Sequence, residues 1–118
     1  MKISILLPLK ENFSPEYPGA VSIFINDTLK QSRFKKSTTV FGSTNYKKKF
    51  NHKYINLKTK NLLFQSQNKK YVEEFEKYER KNKSDIIEIH NRPNYVNYLK
   101  NFNNTTKLIL YFHNNPLT

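Results

Sequence analysis

Short apolar runs alternate along this chain with stretches whose apolar residues recur at helical spacing. That rhythm predicts its elements. Lys2 to Leu7 is a compact apolar run closed by Pro8, a first strand. Glu11 to Pro18 reads as a loop punctuated by proline and serine. After Gly19, residues Ala20, Val21, Phe24, Ile25 and Leu29 keep helical spacing. Ser37 to Ser43 is a second strand centred on Thr39, Val40 and Phe41. Tyr46 to Lys53 is a basic loop, Tyr54 to Leu57 a short third strand, and Asn61 to Gln67 fits neither pattern. Lys69 to Lys83 is the clearest helix, with a narrow stripe of Tyr71, Val72, Phe75 and Tyr78. Glu73 with Lys77, Glu76 with Arg80 and Glu79 with Lys83 are spaced as i,i+4 pairs. This predicts a solvated carboxylate face, each pair contributing a few tenths of a kcal/mol at most.

The most informative stretch runs from Ser84 to Pro116. Asp85 to His90 is rich in β-branched residues, the pattern of a buried strand. Pro93 suits the first turn of a helix, and Asn91 before it is a candidate cap. Tyr95, Tyr98, Leu99 and Phe102 continue that helix, and Asn103 to Thr106 breaks it. Lys107 to Phe112 is a further strand, followed by His113, Asn114, Asn115 and Pro116. Two strands joined by one short helix are most simply parallel neighbours. Both then end at one sheet edge, and both end in His-Asn. In open α/β sheets, ligands bind at that carboxyl edge. The element order as a whole predicts an α/β, Rossmann-like, doubly wound and mainly parallel sheet.

A chain of 118 residues bounds the fold to one domain. The absence of cysteine excludes disulfides and thiolate metal sites, which fits a cytosolic chain. Three separated histidines have no metal-site spacing, and no G-x-S-x-G, Walker loop or cysteine nucleophile occurs. The run after Met1-Lys2 is cut short by Pro8, Lys10 and Glu11, unlike a signal peptide, and no segment is long enough to span a membrane. The formal charge of +12 would attract phosphates, anionic lipid or nucleic acid. Against a nucleic-acid reading, only Arg33, Arg80 and Arg92 are arginines, and the Lys and Asn abundance matches A- and T-rich codons. Lys47-Lys48-Lys49 is a solvated loop or, more sharply, a phosphate or membrane contact. Gly19 is a turn residue with positive φ, or a point of close approach for an anion at a helix N-terminus.

The pattern DIIEIHNRP, a helix, then KLILYFHNNPL resembles the amino-terminal domain of family 4 glycosyltransferases of the two-domain GT-B type. Bacterial enzymes that extend lipopolysaccharide cores and other surface glycans are nearest. MKISILLP and the Pro18-Gly19-Ala20 turn are consistent with it. The resemblance implies a nucleotide-sugar donor, a glycan or lipid-linked acceptor, no metal, and a cytoplasmic location with peripheral contact at an anionic membrane. It implies that Gly19 lies close to the donor diphosphate, although Pro18 stands where a second glycine is usual. His90, with Asn91 and Arg92, would border the acceptor side of the cleft. His113 would sit near the donor sugar at the reacting centre. The family's donor-binding second domain, with its pair of glutamates, is not within these residues. The chain therefore reads as the acceptor-side half of a transferase, truncated or split and inactive alone.

Plainer roles stand beside these. His113 and His90 suit loop-capping histidines, Arg92 a surface ion pair, and Glu11 and Asn12 a turn. Two other classes remain open: a small basic module for RNA or an anionic membrane, and a non-catalytic remnant.

Overall fold

The computed structural model describes residues 1–59, 66–99 and 105–113. The expectations for residues 60–65, Phe102, Asn103, Asn104 and Asn114 to Pro116 lie outside these. The described chain runs β1 (Ile3–Leu6), α1 (Ala20–Lys30), a 3-10 turn (Lys35–Ser37), β2 (Thr38–Gly42) and β3 (Tyr54–Asn56). It continues with α2 (Gln67–Lys81), β4 (Ile86–His90), α3 (Pro93–Leu99) and β5 (Lys107–Tyr111). The strands form one five-stranded sheet in the order β3-β2-β1-β4-β5. Every pairing in it is parallel, so the fold is α/β and Rossmann-like.

Register sorts the side chains between the two faces. Ile3 and Ile5 align with Thr38 and Val40 on one side, and with Ile86 and Glu88 on the other. Val21, Ile25 and Leu29 of α1 pack on this face with Phe13. Leu6, Phe41, Ile87 and Ile89 point the other way, beneath Tyr71, Val72 and Phe75 of α2 and Tyr95 and Leu99 of α3. The Tyr71 hydroxyl, fully buried there, donates to the Leu7 carbonyl at 2.7 Å, so this hydroxyl keeps a partner inside the core. Burial pushes its pKa well up.

The chain leaves β1 for α1 on one face, and leaves β4 for α3 on the other. The gap between β1 and β4 is therefore the topological switch point, where the loops after the two strands part toward opposite faces of the sheet. Among the described residues, the non-glycine residues with left-handed backbone are Lys10, Tyr17 and Asn91, and all lie in those two loops. Such conformations cost about 1–3 kcal/mol each and cluster at functional sites.

Several sequence expectations are corrected. Glu79 is not on a solvated face: it is 1% exposed and turned into the protein. Its carboxylate accepts from Ser4 Oγ at 2.5 Å, Ser84 Oγ at 2.8 Å and the Ser84 amide at 2.9 Å. Lys77 reaches Glu74 rather than Glu73, while Glu76 and Arg80 pair at 3.5 Å as anticipated. Tyr78 ends the apolar stripe half-exposed, although its ring still meets Phe41 edge-on. Gly19 has φ −72°, so it is no left-handed turn residue. Ser66 caps α2 through Lys69 N, a signal within the stretch left unassigned.

Candidate functional site

β4 delivers His90 to the carboxyl edge, where the ring is 1% exposed. Asn91 then turns the chain at φ 56°, a conformation that asparagine tolerates better than most residues. Its amide donates to the Tyr111 carbonyl at 2.8 Å. Its side-chain oxygen accepts from the His113 amide at 2.7 Å. Asn91 is thus not the cap of α3 but the lace between the ends of β4 and β5. The consequence is a histidine pair: His90 Nδ1 and His113 Nε2 lie 2.7 Å apart. The His90 ring is also stacked on Tyr111, centroids 5.0 Å apart. Phe24 of α1 meets His113 edge-on at 4.7 Å.

Replacing Asn91 separates its two jobs. Asn91→Gly keeps the backbone but loses the bond to His113, and is expected to cost about 1 kcal/mol. Asn91→Ala adds left-handed strain, for a total of about 2 kcal/mol. Urea denaturation of both variants checks this; equal losses would mean the backbone is not strained.

The loop after β1 brings Glu11 to the same edge. Its carboxylate accepts from Ser22 N at 3.2 Å and Ser22 Oγ at 2.6 Å, at the start of α1. That helix has no acidic residue of its own in its first turn. Glu11 supplies the negative charge that the exposed N–H groups and helix dipole favour. Gly19 makes room for it: a Cβ there would lie 1.8 Å from Glu11 Oε2. Close approach at Gly19 is therefore real, and the anion that approaches is the chain's own. An external diphosphate at this helix end must displace Glu11. Asn12 holds the loop from its other side, accepting from Thr44 Oγ1 at 3.0 Å.

Burial lowers the His113 pKa below its ordinary 6.5, the neighbouring His90 lowers it further, and Glu11 pulls it back up. His52 is likewise lowered, by burial and then by Lys35, while its bond to Asn26 opposes the shift. Both groups bind protons less readily folded than unfolded. Their stabilisation is complete above the unfolded value of about 6.5 and is lost progressively as pH falls below it. The melting temperature is expected to drop between about pH 7.5 and pH 5.5, and His52→Gln should shrink that drop. An unchanged melting temperature across this window would contradict the shifts.

Of the residues singled out in the sequence, His90, Asn91 and His113 are brought together. Arg92 is exposed, and its guanidinium donates to the Asn91 carbonyl at 2.8 Å, beside the site rather than across it. Gly19 is one loop away, connected through Glu11. Sequence reasoning missed Glu88, whose carboxylate lies 3.5 Å from His90 Nε2. Strand alternation was the available signal, because residues two apart share a face. Phe24 was read only as part of a helix stripe.

A polar depression of about 770 Å³ continues along the edge over β2 and β3, lined in part by Lys10, Asn12, Thr44, Asn45, Asn56 and Gln67. Its lining combines amide and hydroxyl groups with Lys10 and Lys58 and includes no carboxylate among the described residues, which suits a polyhydroxylated or anionic ligand. Among the described residues no His, Asp and Glu cluster could hold a metal, and no helix is long and apolar enough to cross a membrane. No family model, curated protein or solved structure matched this chain.

Proposed function

We propose that this chain is the acceptor-side half of a nucleotide-sugar-dependent glycosyltransferase, working with a separate donor-binding α/β unit in cis or in trans. The observation that carries the reading is the His90–His113 pair, 2.7 Å apart at the carboxyl edge of the sheet, with a groove of amide, hydroxyl and lysine side chains over β2 and β3 on the same edge. Glycosyl transfer needs an oriented acceptor hydroxyl and hydrogen-bonding groups at the reacting centre. His113 is the group for that centre; Asn91 orients it, and His90 backs it. Arg92, exposed at the rim, is available to a phosphate or carboxylate on a lipid-linked acceptor. Glu11 at the start of α1 fits an acceptor half, because the donor diphosphate then has its main contacts on the other unit. No metal or organic cofactor is part of this reading.

The test is a titration of the 118-residue chain with oligosaccharides and nucleotide sugars, followed on the histidine ring signals. Saccharides are expected to shift His90 and His113, and nucleotide sugars to bind weakly without the second unit. A folded chain whose histidine pair responds to no saccharide would sink the reading.

A second reading rests on a different observation. Lys30, Lys35, Lys48 and Lys49 line one depression of about 360 Å³ with His52, and among the described residues no carboxylate lines it. That favours a basic binding module for an anionic membrane or RNA. Binding to anionic vesicles or RNA that survives physiological salt would support it; binding that vanishes there is nonspecific charge.

A further inference from the structure

We infer that Glu88 is a positioning residue that sets the tautomer of His90 and, through it, leaves His113 Nδ1 as a hydrogen-bond acceptor. The proton arrangement of the pair has two solutions. In one, His90 Nδ1–H donates to His113 Nε2, and each ring carries its proton on Nδ1. In the other, His113 Nε2–H donates to His90 Nδ1, and each ring carries its proton on Nε2. The 2.7 Å contact links the rings, so they switch together.

The surroundings of His90 Nε2 choose between them. This nitrogen is buried and has no hydrogen-bond partner. The nearest charged group is Glu88 Oε2 at 3.5 Å, beyond a good hydrogen bond but close enough for strong charge–dipole interaction. Both side chains line a cavity of about 210 Å³ beneath α1, whose walls include Ile3, Ile5, Phe24 and Leu29. Glu88 is the acidic residue of that wall among those described. In such surroundings a lone pair facing a carboxylate is repelled, whereas an N–H facing it is attracted. The Nε2–H form of both rings follows.

The other groups packed on the pair do not reverse this choice. Tyr111 stacks flat on His90, and Phe24 touches His113 by its ring. Glu11 acts on His113 from the loop after β1, and its carboxylate is already held by Ser22. Arg92 donates to the Asn91 carbonyl, and Lys107 lies exposed at the far end of β5. Burial and the neighbouring ring keep His113 deprotonated at neutral pH, so its Nδ1 lone pair persists there.

The consequence for function rests on the proposed transferase reading: a sugar hydroxyl would donate to His113 Nδ1. The tautomer itself does not rest on it. Long-range ¹H–¹⁵N correlation spectra of the uniformly labelled chain at about pH 8 read each ring directly. The expected result is the Nε2–H pattern for both His90 and His113, and loss of that uniform pattern in Glu88→Leu. Nδ1–H patterns in the wild-type chain would overturn the inference without any variant. So would Glu88→Leu spectra unchanged from wild type. Saccharide binding is scored separately: its absence with Nε2–H rings removes the transferase reading and leaves the positioning role of Glu88 standing.

Discussion

Glu79→Ala is expected to lower the unfolding free energy by about 2–4 kcal/mol, because it strips the acceptor from three buried donors at once. The Ser84 amide, the Ser84 hydroxyl and the Ser4 hydroxyl all point at this carboxylate. The two hydroxyls also lie 2.6 Å apart and can satisfy one another in part, which sets the lower bound. Few single side chains matter this much in a domain whose whole stability is about 5–15 kcal/mol. The cluster joins the end of α2 to β1 and to the segment before β4. It therefore clamps the two central strands from the edge opposite the histidine pair. Urea denaturation should show a lower midpoint with an unchanged slope. Glu79→Gln, which keeps the volume and one acceptor oxygen, should lose less. A loss below about 1 kcal/mol for Glu79→Ala would show that the hydroxyls do not need the carboxylate.

His113→Ala is expected to lower sugar transfer by about 10²-fold in the enzyme assembled with its donor-binding unit. Under the proposed function the ring is the group nearest the reacting centre, held by the Asn91 side chain and by His90. It is only partly buried and contributes little to the core, so the variant should fold; circular dichroism checks that. His52→Gln removes a histidine on the far side of α1, in the lysine-lined depression, and should leave transfer unchanged. Full transfer by His113→Ala would remove this residue from the site, and with it the main support for the reading. An intermediate loss in Asn91→Gly would show that orientation of the ring, and not only its presence, matters.

The histidine pair and Glu79 show how far sequence reading reaches. The sequence puts a histidine at the end of each run, because short β-branched runs with an intervening helix carry that information locally; β4 ends on His90, and His113 follows two residues after β5. Parallel neighbours with both ends at one edge then followed from chain geometry. The position of Asn91 ahead of Pro93 suggests a helix cap, since the residue before a Pro-containing first turn usually has that role. Its real partner lies 22 positions away. Glu79 was read as one more solvated carboxylate of a charged helix face. Spacing along a helix says which residues neighbour one another on its surface, but not where the apolar stripe ends.

What the sequence by itself determined is the order and type of elements, the parallel sheet and the edge at which the polar strand ends gather. These depend on periodicity, turn residues and chain handedness, all short-range properties. Only the tertiary structure decided that His90 and His113 touch, that Glu11 fills the start of α1 beside Gly19, and that Glu88 faces the buried nitrogen of His90. The physical reason is that a polar side chain takes whichever partner the packed layers bring within about 3 Å. That partner depends on strand order and register, which no stretch of the sequence states alone.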